Sequence, residues 1–533
     1  MQPQTHVRMS LSRLRESFAR PTDALPLDFF RVLAGILVFA YFVRTLLEAK
    51  DFSNPDGLID HELTRELFWY TRISLFPPNL SLAALQTIFL IACLCSLGLI
   101  VGYRVKICAA ILYVIAVCTY RWNFLVMYVD DSIMHLVLLW MLLLPVGRTL
   151  VLQEYLTDRK GAWQRWKYQL VPGSAFRLFL CNLTLIYVTA GLWKWTSPMW
   201  RDGTALYAVL KLPISHAPDF WGPQHLPVLK LFSYAALVLE PAFPLLFVLR
   251  RGHPLKYALL LGLLAFHVGS VATLQIPFAN LACAATTALI FGGELMRWIR
   301  GEPPEREVFN PGRSIGYAGA AGFVVVALLS LAMISSVSLA HWRTPTRRDK
   351  SALRSALIPT AVTNSPEAPE DEIDPGGDEG LRTLQWSFFS ALWCVGLAQQ
   401  YQLFNWIDDR NFEIRYHTIE YQGASDGDPS AREVNASSVL LPSTRGMALR
   451  LYLHGITWMR IPRERQAELR HSLQIRLARS YCQKLNPRAN VAIYATVHRI
   501  DPGVIRAAED RELLMRFRCN NDEPEMISMN LDP

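Results

Sequence analysis

Ser81–Tyr103 reads SLAALQTIFLIACLCSLGLIVGY, a stretch without one charged side chain. A helix needs ~20 apolar residues to cross the hydrocarbon core of a bilayer, so this stretch alone argues for a membrane protein. The pattern recurs along the chain. FFRVLAGILVFAYFV (29–43), HLVLLWMLLLPVG (135–147), YALLLGLLAFHVGSVATL (257–274) and GYAGAAGFVVVALLSLAMISSVSLA (316–340) are apolar almost throughout. Composition agrees: 52% of the 533 residues are hydrophobic and 15 are tryptophan. The net charge of +8 does not point to nucleic acid, because in a membrane protein basic residues mark cytoplasmic loops.

We read about nine spans, within a range of eight to ten, near 28–47, 80–102, 107–122, 131–147, 174–195, 228–249, 255–275, 277–293 and 315–340. The N-terminal segment, 1–27, is polar and basic, and the first run lacks a small-residue cleavage site, so it is expected to remain as an anchor. Basic residues fall in alternate connections. Arg8, Arg13, Arg15 and Arg20 precede the first span, and Arg104 and Lys106 join the second to the third. Arg159, Lys160, Arg165 and Lys167 follow the fourth, Arg250 and Arg251 the sixth, and Arg297 and Arg300 the eighth. The positive-inside rule then places the N-terminus in the cytoplasm and the tail outside, although Arg343, Arg347, Arg348 and Lys350 stand against it.

After the helical domain (28–340), residues 341–380 carry the acidic, Pro/Gly-rich TNSPEAPEDEIDPGGDEG, the composition of a disordered linker. Residues 381–407 have too short an apolar core for a span and suit an interfacial helix with an aromatic belt; counted as a tenth span, they return the tail to the inside. Residues 408–533 mix strand patterns (NFEIRYHTIEY, GMALRLYLHGI, NVAIYATVHRI) with the helical RERQAELRHSLQIRLARSYCQKL, a small extracytoplasmic α+β domain. The fold class is therefore mainly α: a polytopic transmembrane bundle with a C-terminal α+β domain. Six cysteines fall in spans, where they read as small packing residues, and an exported tail leaves open a disulfide between Cys482 and Cys519. No spacing of ligands for a metal is evident.

Charged or titratable side chains inside spans are costly and usually face the bundle interior. They are Arg44, Asp130, Asp131, His135, Lys194, Glu240 and His267. Glu240 precedes Pro241 and either satisfies backbone freed by the kink or pairs with Arg44. His135, Lys194 and His267 all reach the outer half of the bundle, and we expect them to line one cavity. An amine buried among Trp193, Trp195 and Trp200 loses solvation of its charged form and becomes available as a base, suited to a lipid-like acid such as a quinol hydroxyl. Taken singly, Lys194 could instead snorkel to headgroups, each histidine could be packing, and the tryptophans could be an interfacial belt.

FFRVLAGILVF, a His heading the span that ends LLLPVGR, YVTAGLWKWTSPMWRDGTALY (187–207), FHVGSVATL and GLAQQYQLF occur in that order. This series resembles the HTTM membrane domain shared by vitamin K-dependent gamma-carboxylase and its bacterial relatives, most specifically in the segment around Lys194. The resemblance implies Lys194 as the base that deprotonates reduced vitamin K or a menaquinol-like quinol, with functional histidines at His135 and His267. Trp193, Trp195 and Trp200 become candidate quinol contacts, O2 and CO2 co-substrates, and a secreted peptide or protein the acceptor. Beside this enzyme reading stands a non-catalytic maturation or immunity factor that holds a secreted peptide or lipid. A transporter is weaker, since no inverted repeat is seen.

Overall fold

Long uninterrupted runs of Leu, Ala, Val, Ile and Phe fold into helices because these side chains keep favourable rotamers there, and lipid leaves no other way to pair the backbone. The computed structural model describes residues 20–53, 57–123, 125–127, 129–212, 214–249, 253–301, 412–421, 431–434, 463–484, 488–499, 512–521 and 523–529. The expected ninth span (315–340), the linker, the 381–407 helix and the strand GMALRLYLHGI lie outside the described residues, as does most of the N-terminal segment.

Among the described residues five helices are long and apolar enough to cross a membrane: α1 (Ala24–Leu47), α4 (Leu82–Val101), α5 (Val105–Trp122), α9 (Ser174–Thr196) and α14 (Pro254–Thr273). A bent pair, α15 (Pro277–Ile290) and α16 (Gly292–Arg300), turns by 53° and makes a sixth if counted as one span. The chain is thus mainly helical with the character of an integral membrane protein. Two expected spans come out short. α6 (Val129–Leu143) has 15 residues, and α12 (Leu226–Leu239) has 14. α12 stops because Pro241 lacks the N–H that would continue it; the chain resumes as α13 (Leu245–Val248) after Pro244. Shorter helices fill the connections: α2 (Ala49–Phe52), α3 (His61–Leu67), α7 (Leu152–Thr157), α8 (Arg159–Tyr168), α10 (Pro198–Asp202) and α11 (Ala205–Lys211).

Where α1 begins, a buried network ties it to the end of α4 and to the connection between α6 and α7. The Asp28 carboxylate accepts the backbone N–H groups of Arg148 (2.9 Å) and Thr149 (2.7 Å), and the Thr149 hydroxyl (2.9 Å). Arg31 donates to Asp28 (2.8 Å) and to the carbonyls of Leu99, Ile100, Thr149 and Leu150. An arginine with no water around it is tolerable only when its fork is so filled. At the same end α4 closes on Gly102 in the left-handed region (φ 79°), where a Cβ would also meet Val151 at 3.2 Å. The two-residue strands β1 (Thr22–Asp23) and β2 (Leu170–Val171) pair antiparallel beside it.

Among the described residues the tail is a five-stranded antiparallel sheet in the order β4 (Arg432–Val434), β3 (Phe412–Tyr421), β5 (Asn490–Arg499), β6 (Glu512–Asn520), β7 (Glu523–Met529). Helix α17 (Arg463–Lys484) covers it, burying Leu469, Leu473, Leu477 and Tyr481 with Val491, Ile493, Met515 and Phe517 of the sheet. Cys482 and Cys519 form a disulfide that fastens α17 to β6. This domain rests where α1 ends: Arg476 donates to Gly57 O (3.0 Å) and pairs with Asp60 (3.3 Å), and Arg465 pairs with Glu66 (2.7 Å).

Candidate functional site

Tyr187 and Lys194 lie seven residues apart on α9, so two turns of helix put them on one face with a rise of ~10 Å between them. Between them sits Gly191. A Cβ there would lie 2.6 Å from the ring carbons of Pro241, so only glycine lets α9 approach the end of α12 this closely. That approach delivers Glu240, the residue that caps α12, to Lys194. The ammonium nitrogen is 2.6 Å from one carboxylate oxygen and 2.8 Å from the other, with both side chains buried. Lys194 therefore does not reach for headgroups. Arg44, the alternative partner for Glu240, pairs with Glu48 at 3.3 Å instead.

The tryptophans divide by role. Trp200, buried, places its ring centroid 5.4 Å from the Lys194 nitrogen, a cation–π contact in a desolvated setting. Trp195 is exposed over half its surface or nearly so and donates its indole N–H to Leu237 O at 3.0 Å. Leu237 is four residues before Pro241, and its carbonyl is the one that a proline at 241 cannot reach. The indole thus fills the bond that the kink vacates. Trp193 is partly buried.

His267 of α14 sits at the centre of a second polar group. Asn280 of α15 donates its amide to Ile276 O (2.8 Å), which points its carbonyl oxygen at His267 Nδ1 (3.0 Å). Nδ1 must then carry the proton, leaving Nε2 as the acceptor for the Tyr187 hydroxyl at 2.5 Å. The Cys283 thiol also bonds to Tyr187, and the Tyr187 ring stacks on Phe243 at 4.2 Å, three residues beyond Glu240. Lys194 is within electrostatic range of His267, and Glu240 of Tyr187. Four helices and one proline kink therefore bring an ion pair and a Tyr–His–Asn chain together.

His135 has a different setting. On α6 it is buried edge-on to Tyr120 (5.2 Å), bonds to the backbone of Ala116, and has Nε2 without a hydrogen-bond partner. Its hydrogen bond and ring contact are with α5, whereas Lys194 meets Glu240 and Trp200 and His267 meets Tyr187 and Asn280. Asp130 and Asp131, also on α6, hold the fold: Asp130 accepts the N–H groups of Phe278 (3.1 Å) and Ala279 (2.8 Å) at the start of α15, and Asp131 bonds to Tyr41. Among the described residues no group of three or more His, Cys, Asp or Glu gathers as a metal site.

No family model, no curated protein and no solved structure matches this chain. The geometry has to carry the reading. Sequence reasoning reached Lys194 and His267 but passed over Tyr187, Asn280 and Cys283, whose neutral polar side chains carry no alarm in a hydropathy profile. The spacing of seven from Lys194 was the available signal for Tyr187.

Proposed function

We propose that this chain is a membrane-embedded enzyme that uses Lys194 as a base toward a quinol-like amphiphile, in oxygenation or carboxylation chemistry of the kind the gamma-carboxylase resemblance implies. The buried Lys194–Glu240 pair carries this reading. A lone ammonium at that depth would be strongly disfavoured, whereas the pair is net neutral. Moving one proton from the Lys194 nitrogen to Glu240 along a 2.6 Å contact leaves an amine and a carboxylic acid, with no net charge created. The free amine can then take the proton of a phenolic hydroxyl, becoming ammonium again beside the phenolate, while Glu240 retains the proton it received. The faces of Trp200, Tyr187 and Phe243 suit an aromatic ring beside such a pair. A reduced quinone bound there supplies the electrons that oxygen accepts; the chain itself positions the ring and handles the hydroxyl proton.

An extracytoplasmic tail belongs to the same reading. The disulfide between Cys482 and Cys519 supports it, because such bonds persist in oxidising compartments, and so does the alternation of basic connections. A secreted peptide would then approach from the side of the tail.

The test is epoxidation of a reduced quinone by the purified chain in detergent, with labelled carbon dioxide incorporation into a Glu-containing peptide followed in parallel. Lys194→Arg keeps the partnership with Glu240 but cannot release a proton at workable pH, so it is expected to abolish turnover. Equal activity of wild type and Lys194→Arg would exclude the base role. Wild type inactive toward a range of quinols would favour the non-catalytic maturation factor.

A further inference from the structure

A cavity of about 760 Å³ opens at the end of the helical unit where α1 begins, remote from the tail domain. Ile100 and Val101 at the end of α4, with Val151 and Leu152 at the start of α7, make an apolar trough; Arg159 and Lys160 stand at its side. We propose that it binds one anionic phospholipid, an acyl chain in the trough and the phosphate on Arg159 and Lys160.

The volume lies within the ~300–1,000 Å³ usual for ligand pockets. One wall is built rather than accidental. The Arg159 guanidinium lies 5.3 Å from the Tyr155 ring, Tyr155 stacks on the buried Trp166 at 6.2 Å, and the Trp166 indole donates to Glu154 at 3.0 Å. Arg159 and Lys160 have no carboxylate partner among the described residues. The adjacent acid, Asp158, is engaged by the N–H of Gly161 (3.0 Å) and by Arg165 (3.3 Å). The hairpin of α7 and α8 is also suited to the membrane boundary. Leu152, Leu156 and Trp163 are exposed, while Lys167 folds over Trp163 at 5.7 Å. Apolar side chains that face outward beside lysine and arginine are the marks of a segment lying in the headgroup layer. Within 152–168, four basic residues (Arg159, Lys160, Arg165, Lys167) outnumber two acidic ones (Glu154, Asp158), which favours a lipid with net negative charge over a zwitterion.

Native mass spectrometry of the detergent-purified full chain tests this, with dioleoyl-phosphatidylglycerol, dioleoyl-phosphatidylcholine or inorganic phosphate titrated separately. Phosphatidylglycerol is expected to be retained roughly tenfold more tightly than phosphatidylcholine, because the choline ammonium of the latter offsets its phosphate charge beside the two basic side chains. Arg159→Gln/Lys160→Gln, both on the surface, should erase that preference, and Leu152→Asp should lower retention of both lipids. Equal retention of the two lipids by wild type, or a preference that survives the double substitution, overturns the proposal. Phosphate alone binding as well as the lipid would show a free-anion site and overturn it too.

Discussion

Lys194 is legible in the sequence as a charge at the end of an apolar run, but its partner is not. Glu240 was visible as well; what hydropathy cannot give is which helix its carboxylate meets, and that is set by the close approach of α9 at Gly191 to Pro241. The consequence is sharp for stability. Replacing one member of a buried pair strands the other, so Glu240→Gln is expected to destabilise the chain by about 3–5 kcal/mol. Lys194→Met/Glu240→Leu, which removes both charges, should recover most of that loss while remaining inactive. Thermal unfolding in detergent distinguishes the two, and a double variant no more stable than Glu240→Gln would deny the pair. The Tyr–His–Asn chain makes a second residue-level case. Tyr187→Phe keeps the stack on Phe243 but takes the donor from His267 Nε2, leaving a buried acceptor unfilled at a cost of about 1–3 kcal/mol. If Tyr187 also takes part in proton handling, turnover should fall further than the stability change explains; unchanged turnover would leave it a packing residue.

At the scale of elements, the spans that read correctly are the unbroken runs, α1, α4, α5, α9 and α14, because hydropathy sums over a whole helix and needs no partner. Breaks were harder to see. The sixth expected span ends at Glu240 rather than running on to 249, since two prolines at 241 and 244 remove successive donors. Strands β6 and β7 escaped notice for a related reason. Opposite the register shift at Arg516/Phe517 the burial alternation of β7 breaks after Met526, while β6 alternates over only the six residues Met515–Asn520. The break at Pro241 yields its own prediction, because Trp195 occupies the carbonyl that it frees. Trp195→Phe should destabilise the wild type by about 1 kcal/mol, the worth of one hydrogen bond. In a Pro241→Ala background, where an N–H can again reach Leu237 O, the same substitution should have little effect. A double-mutant cycle over these four proteins measures the coupling. Additive effects would mean that the indole is there for the bilayer and not for the kink.

For the molecule as a whole, two consecutive residues where the helical unit meets the tail respond to pH. Asp60 caps α3 through Leu63 N–H (3.0 Å) and receives Arg476 and Ser472 of α17, both at 3.3 Å. His61 beside it is buried, stacked on Trp122 at 3.6 Å, with its ring nitrogens 3.0 Å from Trp122 O and 2.8 Å from Phe52 O. Two carbonyls favour a doubly protonated ring, but burial is the larger influence and pulls the imidazole down from 6.5 to about 4. Asp60 has the opposite balance: burial raises its carboxyl, yet the Leu63 N–H and Arg476 together hold it below 3.8. The two groups therefore act in separate pH windows. His61 is neutral in the folded chain and would take up a proton on unfolding below 6.5, so its contribution is complete above 6.5 and is lost as pH falls toward 4. The loss is bounded at about 3 kcal/mol, from ~1.4 kcal/mol for each pKa unit. The Asp60 contribution is complete above 3.8 and disappears only below it. Denaturant unfolding followed by tryptophan fluorescence at pH 7.5 and pH 5 should show wild type losing stability on acidification. His61→Phe preserves an aromatic ring against Trp122 without a titrating group, and its stability should change less across that interval. Arg476→Met should weaken the joint at both pH values and, by removing a positive charge that helps hold the imidazole down, make the slope somewhat shallower. Equal slopes for wild type and His61→Phe would place the acid sensitivity elsewhere than at His61.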